Sequence, residues 1–174
     1  MKNTFSLLFS FLLVATIGCA QKPATDASCT NPDFDKKVRK LLDLTVTPIT
    51  PEELKKMDDI LLLDIREKEE YDVSHIEGAE YMGYEEYDGN LLRDVPKDTP
   101  IVVYCSIGYR SEKVGEKIQK LGYTNVYNLY GSIFEWVNQD NPVVDNNNTP
   151  TDKIHTYNRI WSKWVEDGKA EKVW

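Results

Sequence analysis

Continuous apolar runs of strand length punctuate an otherwise polar and charged chain. In "DILLLDIR" (59–66) and "IVVYC" (101–105) apolar side chains occupy consecutive positions. Both faces of each strand are therefore expected to be buried, as in a parallel sheet covered on its two sides. "TNVYNLYG" (124–131) reads as a third strand, and "HIEGAEYM" follows the first after the charged, helix-prone piece "EKEEYDVS". In "SEKVGEKIQKL" the periodicity changes: Val114, Ile118 and Leu121 fall four and three residues apart, one apolar helix face with Gly122 as its stop. Short helices are also expected in "VRKLLDL" and "SIFEWVNQ", and Thr50-Pro51-Glu52-Glu53 is a capping box with proline at the first helical position. Strands alternating with helices predict the α/β class with an open parallel sheet.

The two ends break this alternation. The chain opens Met1-Lys2-Asn3, runs apolar from Phe5 to Ile17, and breaks at Gly18-Cys19. Such a run is shorter than the ~20 residues of a spanning helix and has the anatomy of a secretory signal, residues 1–18. "TIGC" resembles a bacterial lipobox, although Thr16 stands where leucine is usual. That resemblance implies lipidation of Cys19 and anchoring on the periplasmic side of the cell envelope. Residues 19–36, small, polar and proline-containing, read as a flexible tether. A domain is expected over 37–144, and 145–174 reads as a linker and one C-terminal helix. On that helix Ile154, Tyr157, Trp161, Trp164 and Val165 would share a face packed back on the domain.

Composition removes several function classes. The formal net charge is −8 at pH 7, which leaves no electrostatic footprint for nucleic acid. Three cysteines and two widely separated histidines make neither a disulfide framework nor a zinc site. No metal and no cofactor are expected. Cys29 reads as an idle tether cysteine.

The chemistry concentrates after the second buried strand. In an open parallel sheet ligands sit beyond the carboxyl ends of the strands, and Cys105 lies at such an end, with a helix starting near Ser111 aimed at it. A helix start offers free N–H groups and the positive end of the dipole, which bind anions and lower a nearby thiol's pKa. Ser106, Ile107, Gly108 and Tyr109 are few enough to curl their amides toward the sulfur, with Gly108 supplying the backbone freedom. Arg110 adds a cation whose fork could grip an incoming anion. Asp64 and Arg66 are expected to be a structural pair bracing a strand end, and His75 a turn residue without a catalytic part.

Asp64-x-Arg66, Glu70-Tyr71, His75-Ile76-x-Gly78-Ala79, the loop Cys105 to Arg110, and Gly131 with Trp136 resemble the rhodanese-like family in order and separation, over about residues 46 to 138. The resemblance implies a five-stranded parallel sheet flanked by helices on both faces, and a single-domain sulfurtransferase. The Cys105 thiolate would take sulfur from a small anionic donor such as thiosulfate and pass it to cyanide or a thiol. A partner-binding persulfide carrier, or a phosphatase or arsenate reductase on the same fold, are the competing readings. Phosphatase relatives carry one more loop residue than the four between Cys105 and Arg110. Ser106 stands where arginine is frequent in single-domain relatives, and Tyr109 is bulkier than usual. Two further departures, Ser74 before His75 and Ser132 in place of the second glycine of a Gly-Gly pair, are expected to lie clear of the loop.

Overall fold

The five main strands are β1 (Thr47–Ile49), β2 (Leu61–Asp64), β3 (Glu80–Tyr81), β4 (Ile101–Tyr104) and β5 (Val126–Leu129). They form one all-parallel sheet in the order β1-β5-β4-β2-β3. This computed structural model describes residues 22–85, 87 and 89–174. The central strand shows why its run is apolar at every position. Ile101, Val103 and the adjoining Cys105 pack in the layer that holds Val114 and Ile118 of α4 (Tyr109–Lys120). Val102 and Tyr104 pack in the opposite layer, with Phe34 and Val38 of α1 (Pro32–Leu41) and Ile133 and Phe134 of α5 (Ser132–Asn138). The period of two along a strand thus feeds two cores, one on each face. Two short helices complete the layers: α2 (Pro51–Leu54), with the expected capping box on Thr50 and Glu53, and α3 (Lys68–Val73).

The segment read as a tether is packed over its second half. Asn31 caps α1 by accepting from the amides of Asp33 and Phe34, with Pro32 following it. This is the same signature as Thr50-Pro51, here hidden in a stretch of small polar residues. Phe34 is fully buried, and Ala27 and Cys29 are buried beside it. Cys29 therefore belongs to the core. Burial first, then the Glu135 and Asp35 carboxylates, push its thiol far up, which leaves it protonated and inert. Its sulfur lies where a side chain on Gly131 would be, 2.8 Å from the Cβ position, so only glycine fits there.

The C-terminal segment differs in element type from the single helix expected. β6 (Val143–Val144) and β7 (Pro150–Thr151) form an antiparallel pair. β8 (Lys153–His155) and β9 (Glu171–Val173) then pair in parallel around one helical turn, α6 (Arg159–Ser162). Asn158 caps α6, and positive φ angles at Tyr157 (64°) and Gly168 (82°) break helical continuity on either side. The apolar residues still turn inward: Ile154 and Val165 are fully buried, and Trp164 stacks on Phe34 with ring centroids 5.5 Å apart. Tyr157 is the exception, 55 % exposed.

This clasp is an integral part of the core. Ile154→Ala is expected to cost ~2–5 kcal/mol as a fully buried truncation, which lowers the melting temperature by about 2–4 °C per kcal/mol for a chain of this size. Ile160→Ala, at a side chain 73 % exposed, is the control, expected to leave the thermal denaturation curve in place.

Candidate active site

Cys105 follows the last residue of β4 and is 1 % exposed, at the floor of a cavity of about 450 Å³. The chain turns at once into α4, whose first residue is Tyr109, two residues before Ser111. Gly108 takes φ +113°, a value open to glycine and strained for other residues, and its amide donates to Cys105 Sγ at 3.1 Å. The Ile107 and Ser111 amides also favour the ionised sulfur, while the Ser111 hydroxyl faces Asn128 Oδ1 at 2.7 Å and Gly108 O at 3.1 Å. Burial pushes the thiol up; the Arg110 charge and these donors more than reverse it, so the pKa lies below its ordinary value. The expected curl of amides around a thiolate is present.

Arg110 is engaged differently from the expectation. Its guanidinium fork is filled by Glu70: Nη1 donates to Oε2 at 2.7 Å and Nη2 to Oε1 at 2.8 Å. Ser106 Oγ donates to Glu70 Oε1 at 2.9 Å and accepts from Arg110 Nη2 at 2.9 Å, so it too is committed. Glu67 stands 3.7 Å from Nη1. Arg110 acts on the sulfur through its field, and its fork is not open to an incoming anion. Glu70, 1 % exposed, fixes that cation; burial raises its pKa, and the hydrogen bonds and charge of Arg110 and the charge of Arg66 outweigh this, holding it below the usual carboxylate range.

Ser132 is a second correction, because it does touch the loop. Its hydroxyl accepts from the Cys105 amide at 3.1 Å and donates to Leu129 O at 3.1 Å, tying the nucleophile's backbone to the end of β5. Ser132 sits at φ 54°, the left-handed conformation that a glycine would adopt without strain. The amides of Ile133 and Phe134, in the first turn of α5, donate to the carbonyls of Cys105 and Ser106 at 3.2 Å each. Asn128 supports the other end of the loop, donating to Gly108 O at 3.0 Å.

Asp64 and Arg66 form the structural pair anticipated. Arg66 Nε donates to both Asp64 oxygens at 3.0 Å and Nη2 to Oδ2 at 2.6 Å, and both residues are fully buried. Nη2 also donates to the carbonyl of Ser74 at 2.5 Å, bracing the turn before His75. His75 stacks on Tyr71, centroids 3.9 Å apart, with Nδ1 3.1 Å from Tyr71 O. Cys19 lies outside the described residues. Among those described, no group of three or more acidic, cysteine or histidine side chains could hold a metal ion.

Above Cys105 the cavity is walled by Leu41, Tyr84, Tyr109, Tyr157 and Trp161, with Glu67 and Glu85 also lining it. The Tyr157 ring covers the Arg110 guanidinium at 5.7 Å. Sequence reasoning missed Glu70, Ser111, Glu67, Glu85 and the wall residues Leu41, Tyr84, Tyr157 and Trp161 as parts of the site. Ser111 was legible in principle, since the first turn of a helix aimed at Cys105 must present the sixth residue after it. Glu70 stood out only as a mark of the family resemblance, without a role, since in a charged run its carboxylate is indistinguishable from a solvated one.

Comparison with known proteins agrees with this geometry. The model of the rhodanese-like domain family matches residues 50–139. The chain is 33 % identical over 99 residues to a probable adenylyltransferase/sulfurtransferase MoeZ of Mycobacterium tuberculosis, covering 54 % of this chain and 25 % of that protein. It is 29 % identical over 105 residues to the thiosulfate sulfurtransferase GlpE of Glaesserella parasuis, covering 59 % of this chain and 96 % of that one. Thus the chain spans about a quarter of the first relative and nearly the whole of the second. The crystal structure of a thiosulfate sulfurtransferase from Pseudomonas aeruginosa superposes with a TM-score of 0.54 at 17 % identity, over 60 % of this chain and 21 % of that one, a likeness of fold.

The balance of burial against charge can be measured directly. The rate of Cys105 alkylation by iodoacetamide should fall as pH drops through a pKa below that of an ordinary thiol. In Glu70→Gln/Arg110→Gln, which removes the cation without stranding a buried carboxylate, the midpoint should move upward, because burial then meets only the amide donors. An unmoved midpoint would assign the low pKa to the amides alone.

Proposed function

This chain belongs to the rhodanese-like family, and on that premise we propose that it is a sulfurtransferase working through a persulfide on Cys105. The observation that carries the reading is a buried sulfur that takes the Gly108 amide at 3.1 Å and is held below its ordinary pKa by the Arg110 charge and the loop amides, and among the described residues no histidine or carboxylate is hydrogen-bonded to it. Persulfide chemistry asks for this and little more: a nucleophile ionised beforehand, and donors for the negative charge of the sulfur it acquires. In the first half-reaction the Cys105 thiolate attacks the outer sulfur of the donor. A sulfur–sulfur bond forms on Cys105 as the donor's own sulfur–sulfur bond breaks, and the bonding pair leaves with the residue of the donor, sulfite when the donor is thiosulfate. In the second, cyanide or a thiolate takes the terminal sulfur and the Cys105 thiolate is regenerated. Charge is conserved in each step and no cofactor enters.

The loop argues against phosphoryl transfer. Four residues separate Cys105 from Arg110, one fewer than in phosphatase relatives, and a transferring phosphoryl group presents three equatorial oxygens that each need donors. Here the Gly108 amide is already at 3.1 Å from Sγ and the arginine fork is filled by Glu70. The ring suits one sulfur.

We further propose that residues 1–18 are an export signal and that Cys19 is lipidated, placing the domain at the periplasmic side of a bacterial membrane. The support is the apolar run from Phe5 to Ile17 closed by Gly18-Cys19. Among the described residues no helix is long and apolar enough to cross a membrane.

Incubated with thiosulfate and analysed by intact mass, the protein is expected to gain one sulfur atom, to lose it to cyanide as thiocyanate, and to leave aryl phosphates intact. Cys105→Ala should gain none while keeping its thermal denaturation curve. Aryl phosphate turnover abolished by Cys105→Ser would overturn the assignment. Expressed in a bacterium, the chain should label with palmitate and partition into detergent, and Cys19→Ser should do neither.

A further inference from the structure

The pocket above Cys105 is larger and less polar than an inorganic sulfur donor requires. Its volume of about 450 Å³ falls in the range of sites that enclose drug-sized organic molecules, roughly 300–1,000 Å³, whereas thiosulfate has five heavy atoms. Leu41, Tyr157 and Trp161 form part of the wall, and all three lie outside the residues 50–139 that match the family. They arrive from the end of α1 and from the clasp between β8 and β9.

Tyr157 is held in an unusual way. It is 55 % exposed, yet its backbone sits at φ 64°, a conformation that costs a bulky residue energy. Its amide donates to His155 Nδ1 at 3.2 Å, and Asn158 next to it caps α6, which carries Trp161. The turn thus presents one ring over Arg110 and the other into the same cavity, instead of folding Tyr157 into the core beside Ile154.

Charge points the same way. Among the described residues Arg110 is the cation lining the cavity, and it has both terminal nitrogens on Glu70 and Glu67 3.7 Å away. Among the described residues Glu67 and Glu85 also line the cavity, so their carboxylates meet whatever enters. Their repulsion acts on a dianion twice as strongly as on a monoanion, and aromatic walls favour a flat apolar body.

Building on the sulfurtransferase reading, we propose that the preferred donor is an organic sulfane compound with an aromatic or apolar body and a single negative charge, an arylthiosulfonate in chemical type, over the dianion thiosulfate. The transfer balances as before. The Cys105 thiolate takes the outer sulfur of the thiosulfonate to give the persulfide, and the sulfur–sulfur bond of the donor breaks with its electron pair leaving on the arenesulfinate. Tyr157 and Trp161 would hold the aryl group while the loop amides receive the sulfur.

The test uses the full-length protein, cyanide as acceptor, and benzenethiosulfonate or thiosulfate as donor, with kcat/KM measured for each. Since the two donors differ in intrinsic reactivity, the informative quantity is the change in their ratio between variants. Tyr157→Ala/Trp161→Ala should lower the benzenethiosulfonate-to-thiosulfate ratio about tenfold, and Tyr157→Phe should retain it. Glu67→Gln/Glu85→Gln should move the ratio the same way by raising the thiosulfate value. Should the double aromatic variant unfold, Tyr157→Ala alone carries the test, because that side chain is half-exposed. Sulfur gained from both donors with a ratio that neither set of variants moves overturns the pocket assignment and leaves the sulfurtransferase reading standing. No sulfur gained on Cys105 from either donor overturns that reading, and this inference with it.

Discussion

A buried sulfur must stay negative without a base beside it, and that requirement organises the site. Cys105 is almost wholly removed from water, and desolvation alone favours the neutral thiol. Opposing it are three things the fold delivers to one point: amides that converge on Sγ because Gly108 can adopt φ +113°, the start of α4, and the Arg110 charge. Each depends on Cys105 ending a strand in the middle of the sheet. β4 is flanked by β2 and β5, so the loop after it is gripped from both sides. Ser132, at the start of α5, takes the Cys105 amide, while Asn128 and Ser111 hold the Gly108 carbonyl.

Arg110 illustrates how a charge is made useful by being neutralised. An unpaired guanidinium at this depth would be costly, and a mobile one would hold its field poorly. The bidentate bond to Glu70, shared with the Ser106 hydroxyl, fixes the cation at the rim of the loop. The same bond removes the fork from the substrate's reach. Recognition of the incoming molecule therefore passes to other groups, and those available are aromatic rings and carboxylates.

The fold was readable because its signals were redundant. "ILLL" and "IVVY" are buried on both faces, so pattern and burial agree whichever neighbour each side chain meets. The nucleophile was readable too, since a cysteine at a strand end before a glycine and a helix start has few other arrangements. Less legible were features that depend on distant partners. The Glu70–Arg110 pair spans forty residues, and a carboxylate in "EKEEYDV" carries no local mark of its burial. Ser132 was misjudged because it lies 27 residues from Cys105 in the chain, and only the fold shows its hydroxyl taking the Cys105 amide. The C-terminal pattern was ambiguous in kind: spacings of three and four between apolar residues suit a helix, but a strand, a turn and one helical turn bury Ile154 and Val165 equally well. The capping asparagines, Asn31 and Asn158, were the local marks that would have corrected both ends.

Those two ends give the site a division of labour. The central sheet and the loop supply everything that the sulfur chemistry asks for, and they lie within the family domain. The α1 segment and the C-terminal clasp add side chains that touch the cavity without touching the sulfur's donors. They are also bound to each other: Trp164 stacks on Phe34, Lys37 lies 5.1 Å above the Trp161 ring, and Asn31 donates to Glu166 at 3.2 Å. Because the clasp is fastened to α1 and to Asn138 of α5 and meets the catalytic loop through the Tyr157 ring over Arg110, its residues can change the shape and charge of the mouth while leaving the amide ring unaltered. The loop's own anchors, Ser132 and Glu70, lie within the family domain. Reactivity is thereby set by the interior of the sheet, and selection by the two segments that close over it.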